Sequence, residues 1–134
     1  MVDVVQKSMN MIEALNDAQQ DAKVFRNHCH DISACTNQLF PVVVSAQRNI
    51  QDLSKQPGVS EAFTKLNTNM EQALAVLRKC GTMGMIEKLA DQGETKRILQ
   101  SILADLQSTS REAVTLLSQL LKAKQTSDGS SPAS

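Results

Sequence analysis

The feature that most constrains this chain is a long apolar seam. Phe25, Cys29, Ile32, Thr36, Leu39, Val43, Ala46, Ile50 and Leu53 alternate by four and three residues. Side chains at that spacing line one face of an α-helix, in the pattern that packs helices side by side. A strand would need apolar residues at every second position, and no segment shows that. Pro41 falls inside the seam. It removes a backbone donor and crowds the preceding turn, so a kink is expected near 37–40 in a helix that otherwise continues.

The rest of the chain follows the same period. Val5, Met9, Ile12 and Leu15 give a first helix from about Val2 to Ala18, with Asn16-Asp17 as a candidate cap for the second helix. Gln56-Pro57-Gly58 reads as a loop, and Ser60 as the cap of a third helix carrying Phe63, Leu66, Met70, Leu74 and Leu77. Cys80-Gly81-Thr82-Met83-Gly84 should end it. Met85, Ile86 and Leu89 suggest a short helical turn, and Gln92-Gly93 a break. The last helix should begin near Glu94, with Ile98, Ile102, Leu106, Ala113, Leu117 and Leu120 as its stripe and Leu99, Leu103 and Leu121 in support. The expectation is an all-α, up-down four-helix bundle over 1–124, with a short brace before the last helix. Residues 125–134 are Ser-rich and aperiodic, and read as a linker or tail.

Composition agrees. The three phenylalanines are the only aromatics, and Leu, Met, Ala, Gln and Lys, all helix formers, dominate. Fourteen basic and fourteen acidic residues balance, which argues against a dedicated nucleic-acid binder. Three cysteines cannot all pair, which points to a reducing, intracellular setting. No run of apolar residues is long enough to read as a membrane-spanning helix, and the acids Asp3 and Glu13 do not suit a secretory signal.

Few residues offer chemistry. His28-Cys29-His30 with Cys35 resembles a metal-ligand cluster, but on a helix the two histidines point about 200° apart and cannot converge on one ion. No base is placed beside a cysteine by any nucleophile motif. Gly81-Thr82-Met83-Gly84 lacks the spacing and lysine of a phosphate loop. No catalytic residue, cofactor or metal is expected. The methionines suit a core, apart from Met83 and Met85, which fall in the expected loop. The first helix carries four acids before Ala22 (Asp3, Glu13, Asp17, Asp21) against Lys7, so it is net acidic by three. Arg78, Lys79, Lys88, Lys96 and Arg97 lie near helix ends joined by one loop and are the candidate basic surface for anionic lipid.

The run Phe25-Arg26-Asn27-His28-Cys29-His30-Asp31-Ile32, then Leu39 and Pro41 with apolar residues after it, resembles the second helix of a known bundle. That bundle is the N-terminal domain of the mixed lineage kinase domain-like family. Fungal HeLo domains and the helical N-terminal domains of plant resistance and calcium-channel-type proteins are similar. The order of elements from Val2 to Lys122 resembles theirs too, although Cys35-Thr36 stands where that family often has Arg-Val. The resemblance implies a cell-death or immune executioner domain in the cytoplasm. Such a domain is held by an attached kinase-like or nucleotide-binding domain. On release it forms a homo-oligomer and moves to the plasma membrane. It permeabilises the membrane through anionic lipids, using the first helix (Val5, Met9, Ile12, Leu15) and a basic surface. The rival expectation is an adaptor or scaffold bundle that grips a partner helix and does not touch lipid.

Overall fold

The computed structural model describes the backbone of residues 2–23, 25–82 and 85–130, and the side chains of these apart from 85–92 and 123–130. Among the described residues six helices follow one another: α1 Val2–Asp21, α2 Arg26–Asn37, α3 Phe40–Arg48, α4 Ile50–Lys55, α5 Val59–Thr82 and α6 Met85–Ser130. The protein is all-α, and no strand occurs among the described residues.

The long seam is present and buried, but its helix is cut twice rather than kinked once. Around Pro41 the ladder tightens: Leu39 N donates to Thr36 O at 2.9 Å while Gln38 N donates to Ala34 O at 3.2 Å. The proline then sits in the first turn of α3, where its missing donor costs nothing. The second cut is at Asn49, whose φ of −115° and ψ of 27° lie outside the helical range. Its Nδ2 donates to Ser45 O at 2.8 Å, a side-chain bond that competes with the backbone ladder. Cys29, Ile32, Thr36, Leu39, Val43, Ala46 and Leu53 stay buried across both cuts, so the apolar phase survives the breaks.

Other boundaries also move. Asn16-Asp17 lies inside α1 and caps nothing. Asn16 Oδ1 instead accepts from Ser33 Oγ at 3.3 Å and Asn37 Nδ2 at 3.4 Å, tying α1 to α2. The residue before α2 is Phe25, in the left-handed region at φ 53° and ψ 38°. That conformation is unfavourable for a bulky side chain. It is held by Cys29 N donating to Phe25 O at 2.9 Å and by an edge-on contact with His28, ring centres 6.2 Å apart. Ser60 is likewise inside α5, which starts one residue earlier. No break occurs at Gly93, and the expected brace is the first part of α6. A Cβ at Gly93 would meet nothing within 4 Å, so the glycine marks no close contact, and its cost of about 1 kcal/mol is absorbed by a helix this long. Helical backbone carries on to Ser130, beyond where the periodicity fades.

Polar contacts give the arrangement. Ser8 Oγ donates to Asn67 Oδ1 at 2.5 Å and Asn67 Nδ2 donates to Val4 O at 3.0 Å, near the start of α1. At the far end Lys23 N donates to Cys80 O at 3.2 Å. Helices α1 and α5 are therefore parallel neighbours. Helix α2 runs antiparallel to α1 through Asn16, and Gln47 Nε2 on α3 donates to Gln6 Oε1 at 3.3 Å. Helix α6 runs antiparallel to α5, with Asn69 Nδ2 donating to Thr109 Oγ1 at 3.2 Å.

One continuous core fills the space between them, including Val5, Ile12 and Leu15 of α1, Phe63, Leu66, Met70 and Leu77 of α5, and Leu99, Leu106 and Leu117 of α6. The expected stripe of the last helix is buried at Ile102, Leu106, Ala113 and Leu117 and departs at its start, where Leu99 is buried while Ile98 is 42% exposed. The seam runs Thr95, Leu99, Ile102, Leu106, Ser110, Ala113, Leu117, so small and polar residues occupy core positions that an apolar count passes over. Leu39 and Leu74 are both buried. Leu39→Ala and Leu74→Ala should each lower stability by roughly 2–5 kcal/mol. Leu74, the more exposed of the two at 8%, should be near the low end. A urea midpoint unmoved in either variant would show that its side chain does not support the fold.

Candidate functional site

The described residues expected to act at a membrane lie in two places. On α1, Val5, Ile12 and Leu15 are fully enclosed and Met9 is packed against the core. Arg78 and Lys79 are exposed in the last turns of α5, and Lys96 and Arg97 are exposed near the start of α6. The antiparallel register fixed by Asn69 and Thr109 puts the two pairs at a similar level of the molecule. The side chains of Lys88, Met83 and Met85 lie outside the described residues. No described helix is long and apolar enough to cross a membrane.

What the structure does build is a groove between the second halves of α1 and α5. It has a volume of about 700 Å³ and is lined by Ala14, Asp17, Ala18, Asp21, Lys23, Leu77, Arg78, Gly81 and Thr82. Its origin is simple. Ala14 and Ala18 are one turn apart on α1, and Gly81 lies opposite, so small side chains let two parallel helices approach closely. A Cβ on Gly81 would lie 3.2 Å from the Asp21 carbonyl oxygen. The floor is apolar, and the rim carries two acids from α1 and two bases, Lys23 and Arg78.

Helix dipoles account for part of that rim. Parallel α1 and α5 bring two C-terminal ends together, and carbonyl-rich ends attract cations. Lys23, Arg78 and Lys79 all sit at or next to those ends. A basic residue here has a structural reason to be present without any lipid. Asp17 and Asp21 beside Arg78 also reduce the net positive field that an anionic membrane would meet.

The cysteines divide. Cys29 and Cys80 are fully buried and Cys35 is half-buried, and none is in a disulfide. Burial pushes the Cys35 thiol up, against a smaller lowering by the neighbouring Ser110 hydroxyl. His28 is half-buried and His30 exposed, on opposite sides of the α2 position that carries Cys29 inward. Among the described residues no three histidine, cysteine or acidic side chains are grouped to hold a metal ion.

Sequence reasoning missed the groove because its residues are of ordinary types. The available signal was the pair of alanines at helical spacing in α1, with a glycine at the end of a helix that could meet them. Neither curated proteins nor solved structures yield a match to this chain. A family model does match residues 2–122, nearly the whole of the described structure. The chain belongs to the family described as a domain of unknown function, DUF7792.

Proposed function

We propose that this chain is a non-catalytic, up-down four-helix bundle that serves as a docking module for a helix of another protein. In this reading α2, α3 and α4 count as one twice-broken helix. The observation that carries the proposal is the α1–α5 groove, with its apolar floor and paired charges. An amphipathic helix laid in it would bury small apolar side chains over Ala14, Ala18 and Leu77. Its own charges would be basic on the side facing Asp17 and Asp21 and acidic on the side facing Lys23 and Arg78. Charge pairs at such a rim set orientation and partner choice more than affinity.

A second reading is the membrane-permeabilising one. Exposed Arg78, Lys79, Lys96 and Arg97 at one end favour it, since each basic group near an anionic surface gains about 1 kcal/mol. Against it stands the burial of the α1 stripe, which must leave the core before it can enter lipid.

One pair of measurements separates the two. A photo-crosslinking residue in place of Ala18 should capture one discrete partner in native extract, and Arg78→Glu should abolish that product. The same residue in place of Lys65, on an exposed part of α5, should not capture it. Vesicles of anionic lipid should neither bind the protein nor leak. Capture from both positions alike would end the groove reading. Leakage of anionic vesicles that weakens with salt and is lost on charge reversal at Lys96 and Arg97 would install the membrane reading in its place.

A further inference from the structure

We propose that Cys29 and Cys80 form a thiol pair that hydrogen peroxide converts reversibly to a disulfide, stapling α2 to α5. Cys29 lies in the first turn of α2 and Cys80 in the last turns of α5, fifty-one positions apart in sequence, yet their thiols are in hydrogen-bond contact. Both are fully enclosed in the core. The backbone around them is held as well, since Lys23 N donates to Cys80 O at 3.2 Å. Two buried small hydrophobes need not touch each other. These do, and Cys35 is at a different place, beside Ser110 and the α6 helix.

The chemistry suits the pair. The Cys29 thiol donates to the Cys80 sulfur, and that bond, together with the nearby Lys79 ammonium, holds Cys80 below its ordinary value against the opposing effect of burial. The same bond and burial push Cys29 well above its own. Cys80, next to Lys79 and to the groove-lining Gly81 and Thr82, is therefore the attacking sulfur. Its thiolate attacks one peroxide oxygen, the O–O bond breaks, and hydroxide leaves and takes up a proton as water. The Cys80 sulfenic acid that results is then attacked by Cys29, whose proton goes to the departing oxygen. The S–S bond forms, the S–O bond breaks and a second water is released. Two thiols lose one electron each and both peroxide oxygens are reduced. A dithiol reverses the bond by exchange. Entry is short, because the next residues, Gly81 and Thr82, line the open groove.

The test uses the whole chain and graded hydrogen peroxide, read by intact mass and by peptide mapping. The expected result is loss of two hydrogens, a cross-linked peptide joining Cys29 to Cys80, and recovery of the original mass with dithiothreitol. The oxidised form should unfold at higher urea than the reduced form. Cys35→Ser should behave as wild type, and Cys29→Ala or Cys80→Ala should not lose two hydrogens. Because the wild-type mapping needs no variant, poor folding of the alanine proteins leaves the test intact. Oxidation at Cys35 alone, over-oxidation of Cys80 without a cross-link, or reaction only after denaturant is added would each overturn the proposal.

Discussion

Phe63→Ala is expected to destabilise the protein by roughly 3–5 kcal/mol, the usual cost of deleting a buried phenyl ring. Phe63 has the largest side chain that is fully enclosed, at 1% exposure, and it sits in the second turn of α5. Its removal takes away apolar area and leaves a space that helices pinned at both ends cannot readily close. A domain of this size holds about 5–15 kcal/mol in all, so the variant should be close to unfolding. Urea titration should show a large fall in the midpoint with an unchanged slope. Phe40→Ala is the control, because that ring is 45% exposed and should matter little. Equal small losses in both variants would mean that this part of the core is loosely packed.

Asn67→Asp should be comparably damaging, and only above acidic pH. Asn67 is 4% exposed and uses both ends of its amide, accepting from Ser8 and donating to the Val4 carbonyl. A carboxylate there keeps the first bond, turns its other oxygen against a carbonyl, and buries an unpaired charge, for which losses of about 3–5 kcal/mol are usual. Burial raises the folded-state pKa of such an acid above its unfolded value of about 3.9. Below the unfolded value the side chain is neutral in both states and the penalty is smallest. As pH rises through it the unfolded state ionises first, so stability falls until pH passes the folded value. Stability should therefore be much lower at about pH 7 than at about pH 4, relative to Asn67→Ala at each pH. Identical differences at the two pH values would show that the site is open to water or that α1 does not hold there.

Much of the fold was legible, for a reason both variants illustrate. Phe63 and the stripes of α1 and α5 repeat at helical spacing, and period alone identifies the inward face. Asn67 was not legible, since a polar residue in an apolar stripe gives no sign of the partner that makes it tolerable. The seam of α6 was legible at Ile102, Leu106, Ala113 and Leu117 but not where the polar Thr95 and Ser110 take core positions, nor at Ile98, which is exposed. Pro41 was read as a disturbance correctly, but tight turns before it and the Asn49 side chain turned a kink into two breaks. Gly93 has the residue type of a stop, yet α6 runs through it. The groove needed a fact that no single helix contains, namely that α1 and α5 lie side by side and point the same way.

That parallel pairing has a consequence for how the chain is made. Helix α1 leaves the ribosome before the helices it packs against, and the helix beside it is complete only at Thr82. Antiparallel α2 can offer it Ser33 and Asn37 early, yet Asn67, which anchors its other end, lies fifty-nine residues beyond Ser8. Closing a loop of that length is an entropic cost met before any α1–α5 contact is gained. During synthesis the faces of Val5, Ile12 and Leu15 must wait, partly uncovered, for a partner still being translated. The apolar face of α1 is thus the surface most in need of shelter during synthesis, although in the finished protein Val5, Ile12 and Leu15 are among the best buried side chains.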